Sequence, residues 1–440
     1  MQSKATAIPR ICSNALTADR CAKVAPGTLN ARPAPEPENQ PIQTTQTFGR
    51  LATLSALMSF ASLSTDLYLP ALPAMRESLH ADSGAVELTI SGYLIGFSLG
   101  QLFWGPIGDR LGRRLPISLG LLLFILGSAG CALSTSVPMM IGWRLLQAVG
   151  ACASVVLARA MIRDLYVGQQ AARMLSVLMT AMAVAPLMAP SIGGLILKVA
   201  SWPAIFWSLV VVGLLMLWAL NRLPETLPPA RRTRQSFVAA VRDYGRLLGQ
   251  PRLRAYAGAG GCLYAGMFAY VAGTPAAYIV HHHVSPQRYG LLFALGIVGI
   301  MAANLINARL VRRFGIDRMI RLGAALATLA GAAAALVAWH DWGGLWGLLT
   351  PLFFFASATG LIVANTIIGA MDSAPERAGA VSALIGAIQY GSGILGSACV
   401  AYFANGTPFP MALTLAGCAL GSLLFALALR PQRVASLHTG

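Results

Sequence analysis

Twelve stretches of about 20 predominantly apolar residues, the length needed to cross a hydrocarbon core about 30 Å thick, recur along this chain. They centre near Ser59, Ile95, Phe124, Ala151, Ala185, Val211, Met267, Gly299, Ala330, Ala356, Ile388 and Leu420. Inside a bilayer each backbone N–H and C=O must be satisfied without water, so each stretch is expected to be a helix. The fold class this dictates is an all-α membrane protein with twelve transmembrane helices. Composition agrees: 56% of residues are hydrophobic and only 11% are charged, against about 25% charged in soluble domains.

The net charge of +17 raises the question of a nucleic-acid partner, and its distribution answers against one. Apart from Arg76, Arg144, Lys198 and Arg288, the Lys and Arg residues fall before the first span, in alternate loops, or after the last span. That bias places both termini of a multi-pass membrane protein in the cytoplasm, with the basic loops facing anionic lipid. Trp202, Trp339, Trp342 and Trp346 fall where outer helix ends are expected, and Trp104 and Trp218 near inner ends.

Five segments follow. Residues 1–49, rich in Pro, Ala, Thr and Gln, read as a disordered cytoplasmic tail. Residues 50–220 form a first six-helix bundle, 221–254 a cytoplasmic linker with eight arginines, 255–430 a second six-helix bundle, and 431–440 a short tail. A weak repeat supports the duplication: Gly105 to Arg114 follows the second span and Ala308 to Gly315 the eighth, each a basic loop closing on a glycine. Duplicated halves around a midplane site are the usual build of secondary transporters.

Gly105, Asp109, Arg110, Gly112, Arg113 and Arg114 together resemble the signature loop of the major facilitator superfamily, which implies an ion-pair latch favouring an outward-open state. The run Ile141 to Gly150, containing Arg144, resembles that superfamily's helix-4 motif, where the arginine is associated with proton coupling. Pro186, Ala189, Pro190, Gly193 and Gly194 in the fifth span resemble its antiporter motif. Here the prolines interrupt backbone bonding and the small residues admit a close neighbour; a kinked, tightly packed helix is the plainer reading. Ser64 to Pro73, Leu223 to Thr226 and Ala380 to Gln389 narrow the resemblance to the bicyclomycin and chloramphenicol resistance (Bcr/CflA-type) drug:proton antiporters. The fold this implies is two pseudo-symmetric six-helix bundles, and the activity is export of diverse drugs in exchange for protons.

The residues themselves point to a site. Asp66 and Arg144 read as the only charges well inside the spans, where each costs about +2.5 to +3.5 kcal/mol even on mild scales. Asp66 lies seven residues before Pro73, taken as the end of its helix, and Arg144 six residues after Pro138. At 1.5 Å per residue both sit about 10 Å below the same face. Burial and a nearby guanidinium act oppositely on a carboxyl's proton affinity, so Asp66 is the candidate proton carrier and Arg144 its neighbour or competitor. A permanent salt bridge that staples two helices is the alternative.

Ser55, Ser59, Ser62 and Asp66 share one helical face and are expected to line a cavity. Tyr68, Gln147, Met182, Tyr264, Phe268 and Gln389 are the candidate substrate contacts, with methionines able to repack around varied ligands. His281, His282 and His283 read as a solvated loop, since no carboxylate or cysteine flanks them in sequence, and no metal site is expected. No cofactor is called for: a P-loop needs Gly-Lys-Ser/Thr, and the only lysines are Lys4, Lys23 and Lys198. The reading is thus a transporter and no enzyme, acting as a monomer on a small drug or metabolite with protons as partner. A metabolite exporter or uptake symporter on the same fold is the alternative.

Overall fold

A computed structural model describes residues 44–82, 84–166, 168–232 and 237–429. Residues 1–43 of the tail expected at 1–49, the whole tail expected at 431–440 and the side chain of Met182 lie outside the described residues. The first half contains α1 (Thr44–Asp66), the short α2 (Leu72–Ser78), α3 (Leu88–Leu111), α4 (Arg114–Ala132), α5 (Val137–Leu165), α6 (Gly168–Val199) and α7 (Pro203–Leu220). After α8 (Phe237–Leu248) come α9 (Pro251–Pro275), α10 (Pro286–Phe314), α11 (Ile316–His340), α12 (Gly344–Ser373), α13 (Ala378–Tyr402) and α14 (Phe409–Ala428). Without α2 and α8, twelve long helices form two bundles of six. Prolines stand in the first two positions of α5, α7, α9, α10 and α14, where a missing N–H costs no helical bond.

Apolar side chains cover the outside as well as the inside. On α4, Leu115, Leu119, Leu122 and Leu126 recur along one face and are 43–58% exposed, the mark of a helix turned toward lipid. Trp339, Trp342 and Trp346 are exposed at the Arg-poor face, as expected of an interfacial belt. Inside, small residues set the spacing. A Cβ on Gly127 would stand 2.5 Å from the backbone nitrogen of Gln147, and one on Gly150 2.4 Å from the Gly120 carbonyl oxygen, so α4 and α5 touch through their backbones.

The halves meet through two helix pairs, α3 with α13 and α6 with α10. At the Arg-poor ends, Ser91 and Ser397 hydroxyls are 2.8 Å apart, and Gln287 donates to the Gly194 carbonyl at 3.3 Å. Further in, Ser98 donates to the Ala387 carbonyl at 2.8 Å. The antiporter-like run is packed closely as well: a Cβ on Gly194 would lie 2.6 Å from the Pro286 oxygen of the other half, and one on Gly193 1.9 Å from the Leu67 oxygen of its own half. Pro186 and Pro190 both sit inside α6, which continues through them as one helix, and Ala189 is fully buried. The Arg-poor face is therefore sewn shut across the two halves.

Two local expectations change. The first helix ends at Asp66, well before Pro73, because Pro70 has no N–H to donate and biases Leu69 away from α geometry; a 3-10 turn over Leu69–Ala71 and then α2 carry the chain onward. The linker between bundles folds its own helix, α8, whose Tyr244 and Leu247 are buried.

Candidate functional site

Arg144 is completely buried and lies at the centre of a polar cluster between α1, α3, α4 and α5. One Nη donates to the Ser64 carbonyl at 2.9 Å and to Gln147 Oε1 at 2.6 Å; Gln147 in turn donates to Ser128 Oγ at 2.8 Å. The carbonyl it reaches belongs to the last turn of α1, where backbone acceptors have no helical partner and the helix dipole favours a cation. The guanidinium also lies over the rings of Tyr68 and Tyr93, with centroids at 4.3 and 4.4 Å. Those rings are themselves pinned, Tyr68 OH to Thr89 Oγ1 at 3.1 Å and Tyr93 OH to Ser64 Oγ at 2.6 Å.

Asp66 is the one acidic residue among the buried described residues, 6% exposed. Arg144 is within its electrostatic reach, as are the phenols Tyr270 and Tyr289 of the other half. No ion pair within 4.0 Å joins Asp66 to Arg144 among the described residues, and Nε and the second Nη of Arg144 have no partner. The matched depth expected from sequence does bring Arg144 to α1, but it lands on the Ser64 carbonyl. Ser55, Ser59 and Ser62 of the same stripe are half-buried.

Tyr68 and Gln147, expected as substrate contacts, are fully buried and engaged with Arg144. Tyr264 and Phe268 of α9 join Tyr390 of α13 and Phe97 of α3 in an aromatic group that spans both halves. Its centroids are separated by 5.6 Å for Tyr264–Tyr390, 5.9 Å for Phe268–Tyr390 and 4.3 Å for Phe97–Tyr390. Gln389 is buried beside Gly260 and Thr366, with its Nε2 unpartnered.

Two members of this region escaped sequence reading. Tyr390 gave no signal beyond an aromatic in an apolar run. Arg159 was counted with a basic loop, yet α5 runs on to Leu165 and leaves it inside the helix; its Nε is sealed from solvent and unpartnered, and Tyr264, Tyr390 and Cys152 feel its charge. The length of α5 was the missing signal.

At the Arg-rich face the signature loop closes on itself. Arg113 pairs with Asp109 at 2.7 Å and with Asp164, at the end of α5, at 2.8 Å. Glu225 accepts from the backbone N–H groups of Arg113, Arg114 and Leu227 at 2.9, 3.1 and 3.0 Å. Burial alone would raise the pKa of Glu225, but these amides overcome it and hold the carboxyl below its ordinary value. Gly112 makes the cradle possible: its φ and ψ are 96° and 179°, a region open essentially to glycine, and a Cβ there would stand 2.7 Å from Glu225 Oε2. Gly315, which closes the second copy, has φ 80° and ψ 161°. The repeat seen in sequence is thus also a repeat of backbone geometry. Among the described residues, Gly105 has open space beside it.

The sequence model described as Major Facilitator Superfamily matches residues 54–397. The chain belongs to that superfamily. As a member it is a secondary transporter spanning the membrane several times, and it is not an enzyme. Its relatives include the "Uncharacterized MFS-type transporter YdgK" of Bacillus subtilis (strain 168), 35% identical over 84% of this chain and 93% of the relative. The "Bicyclomycin resistance protein homolog" of Haemophilus influenzae is 30% identical over 87% of this chain and 96% of the relative. The "Multidrug resistance protein D" of Escherichia coli (strain K12) is 30% identical over 79% and 87%. Among solved structures, the partially occluded, inward-open xylose transporter XylE from E. coli matches with TM-score 0.70 and 15% identity, covering 88% of this chain and 98% of that one. At that identity the likeness concerns the fold.

Proposed function

We propose that this superfamily member exports small amphipathic drugs from the bacterial cytoplasm in exchange for protons, by alternating access. The observation that carries the reading is Asp66: the one acidic residue among the buried described residues, beside a guanidinium that bonds elsewhere, within electrostatic reach of phenols of the other half. A carboxylate locked to Arg144 would be a staple; one left free of it can load and release a proton as the surroundings open and close. The bicyclomycin and multidrug names of the relatives support the substrate class, and the cross-half aromatic group with Arg159 supplies an apolar site with a few polar contacts. With the Arg-rich face toward the cytoplasm of the inner membrane, the seams at Ser91–Ser397 and Gln287–Gly194 close the outer side. An exporter closed on the outer side would take up its load from the cytoplasm.

The test is a susceptibility panel on cells expressing the protein, with and without a protonophore. The reading expects raised tolerance to several amphipathic drugs, abolished by the protonophore. Unchanged tolerance across the panel would favour a metabolite exporter on the same fold.

A further inference from the structure

The triple histidine is not used by transport as described above, and its surroundings differ from what its sequence neighbours imply. Past Pro275, α9 widens into a π-helical turn over Ala276–His281, a form that recurs at functional sites. Across from it, the α11–α12 turn places Asp341 in left-handed backbone, φ 51°. The result is a meeting of His281, His282 and Asp341 in which one ligand atom from each lies within 4.8 Å of the others. His281 Nε2 is 3.9 Å from Asp341 Oδ1, too far for a hydrogen bond. The His281 and His282 rings stand edge to face, 4.7 Å between centroids and 82° between planes. Three ligand atoms thus converge without being spent on one another.

We propose that His281, His282 and Asp341 bind one divalent transition-metal ion of the zinc class at the Arg-poor face, clasping the end of α9 to the α11–α12 turn. Two imidazoles and a carboxylate suit zinc or its neighbours, whereas magnesium and calcium prefer oxygen ligands. Metal–ligand bonds of about 2.0–2.2 Å put tetrahedral ligand atoms roughly 3.4 Å apart. Closing from 4.8 Å needs only side-chain rotation, and Asp341, 70% exposed, has that freedom. The neighbouring His340 is occupied otherwise, stacked on Trp342 at 4.4 Å and 11°. The fourth position is left to water.

The clasp has a mechanical consequence, which rests on the transport reading proposed above. The π-helical turn packs against α2 of the other half, within the seam that closes the Arg-poor face. A metal tying that turn to its own half stiffens one side of the seam and should slow its opening.

Full-length, tag-free protein in nanodiscs, titrated calorimetrically with zinc chloride at about pH 7.5, where imidazole is largely unprotonated, tests the site. One equivalent should bind, at least ~10-fold more weakly in His281→Ala, His282→Ala and Asp341→Asn, with His283→Ala unchanged and magnesium chloride silent. Equal zinc affinity in all variants that elute and melt like wild type, or equal binding of magnesium, would overturn it. In vesicles with the Arg-poor face outward, external zinc should slow export by wild type and spare His282→Ala. Stoichiometric binding without slowing would overturn the clasp alone, and the calorimetry decides the site even where no drug is exported.

Discussion

Arg144 reaches the first helix through the carbonyl of Ser64, at 2.9 Å, and not through the carboxylate two residues further on. Guanidinium charge is spent on a helix C-terminus, an amide and two aromatic faces. Cation–π contacts contribute about 2 kcal/mol or more when desolvated, so the two rings offset much of the cost of burying the charge. Asp66 is then left without a fixed counter-ion, the condition a proton carrier needs.

Lysine cannot replace this arrangement. Its compact ammonium lacks the planar, delocalised guanidinium that stacks against the rings of Tyr68 and Tyr93. Arg144→Lys should lower export by at least ~10-fold, the equivalent of about 1.4 kcal/mol, in protein that still inserts. Drug efflux from vesicles, normalised to protein level, checks it; retained export would show that charge alone suffices at this position.

The seam at Ser91 and Ser397 should be a moving part. With their hydroxyls 2.8 Å apart, Ser91→Cys with Ser397→Cys should oxidise to a cross-link that holds the Arg-poor face shut. Export should stop on oxidation and return with reductant, while each single variant is unaffected. Undiminished export by the cross-linked protein would remove this seam from the transport cycle.

Much of the fold was readable because a bilayer leaves the chain few choices. Each span needs about 20 apolar residues, and the arginines reveal which loops share a face. The glycine of each basic loop announced a special backbone conformation, and Gly112 and Gly315 adopt nearly the same one. Side-chain partners were less legible. Depth along a helix brought Arg144 to α1, but the choice of the Ser64 carbonyl depends on where α1 stops, which Pro70 decides. Glu225 lies more than a hundred residues from the Arg113 and Arg114 amides it caps, and Asp341 and His281 belong to different helix–turn segments of the second half. Such pairs follow from how helices pack, which periodicity does not encode.

Glu225 gives a pH signature. Its folded pKa is depressed below the ordinary 4.5, so its bonds contribute stability above that value and lose it as pH falls through the lower folded pKa. The difference in thermal midpoint between wild type and Glu225→Gln should hold steady from neutrality to about pH 5 and shrink in stronger acid. Gly112→Ala should be worse than either, by about 1–3 kcal/mol of backbone strain with a clash at Glu225 added. A series of melts in detergent measures both.

Arg159 offers a contrast between stability and function. Removing an unpaired, partly sealed charge is commonly neutral or stabilising, so Arg159→Gln should melt no lower than wild type. If the guanidinium faces substrate beside Tyr264 and Tyr390, export of drugs rich in acceptor oxygens should fall by ~5-fold or more, about 1 kcal/mol. A lower melting point with unchanged export would make Arg159 a structural residue.

The central claim is that the Asp66 carboxyl carries the exchanged proton. Reconstituted Asp66→Asn protein, with an internal pH dye and an imposed drug gradient, tests it most directly. The account predicts that drug addition drives proton movement in wild type, and that the variant, correctly folded by its elution and melting, shows neither drug-driven proton flux nor uphill export. Wild-type proton flux from Asp66→Asn would contradict it.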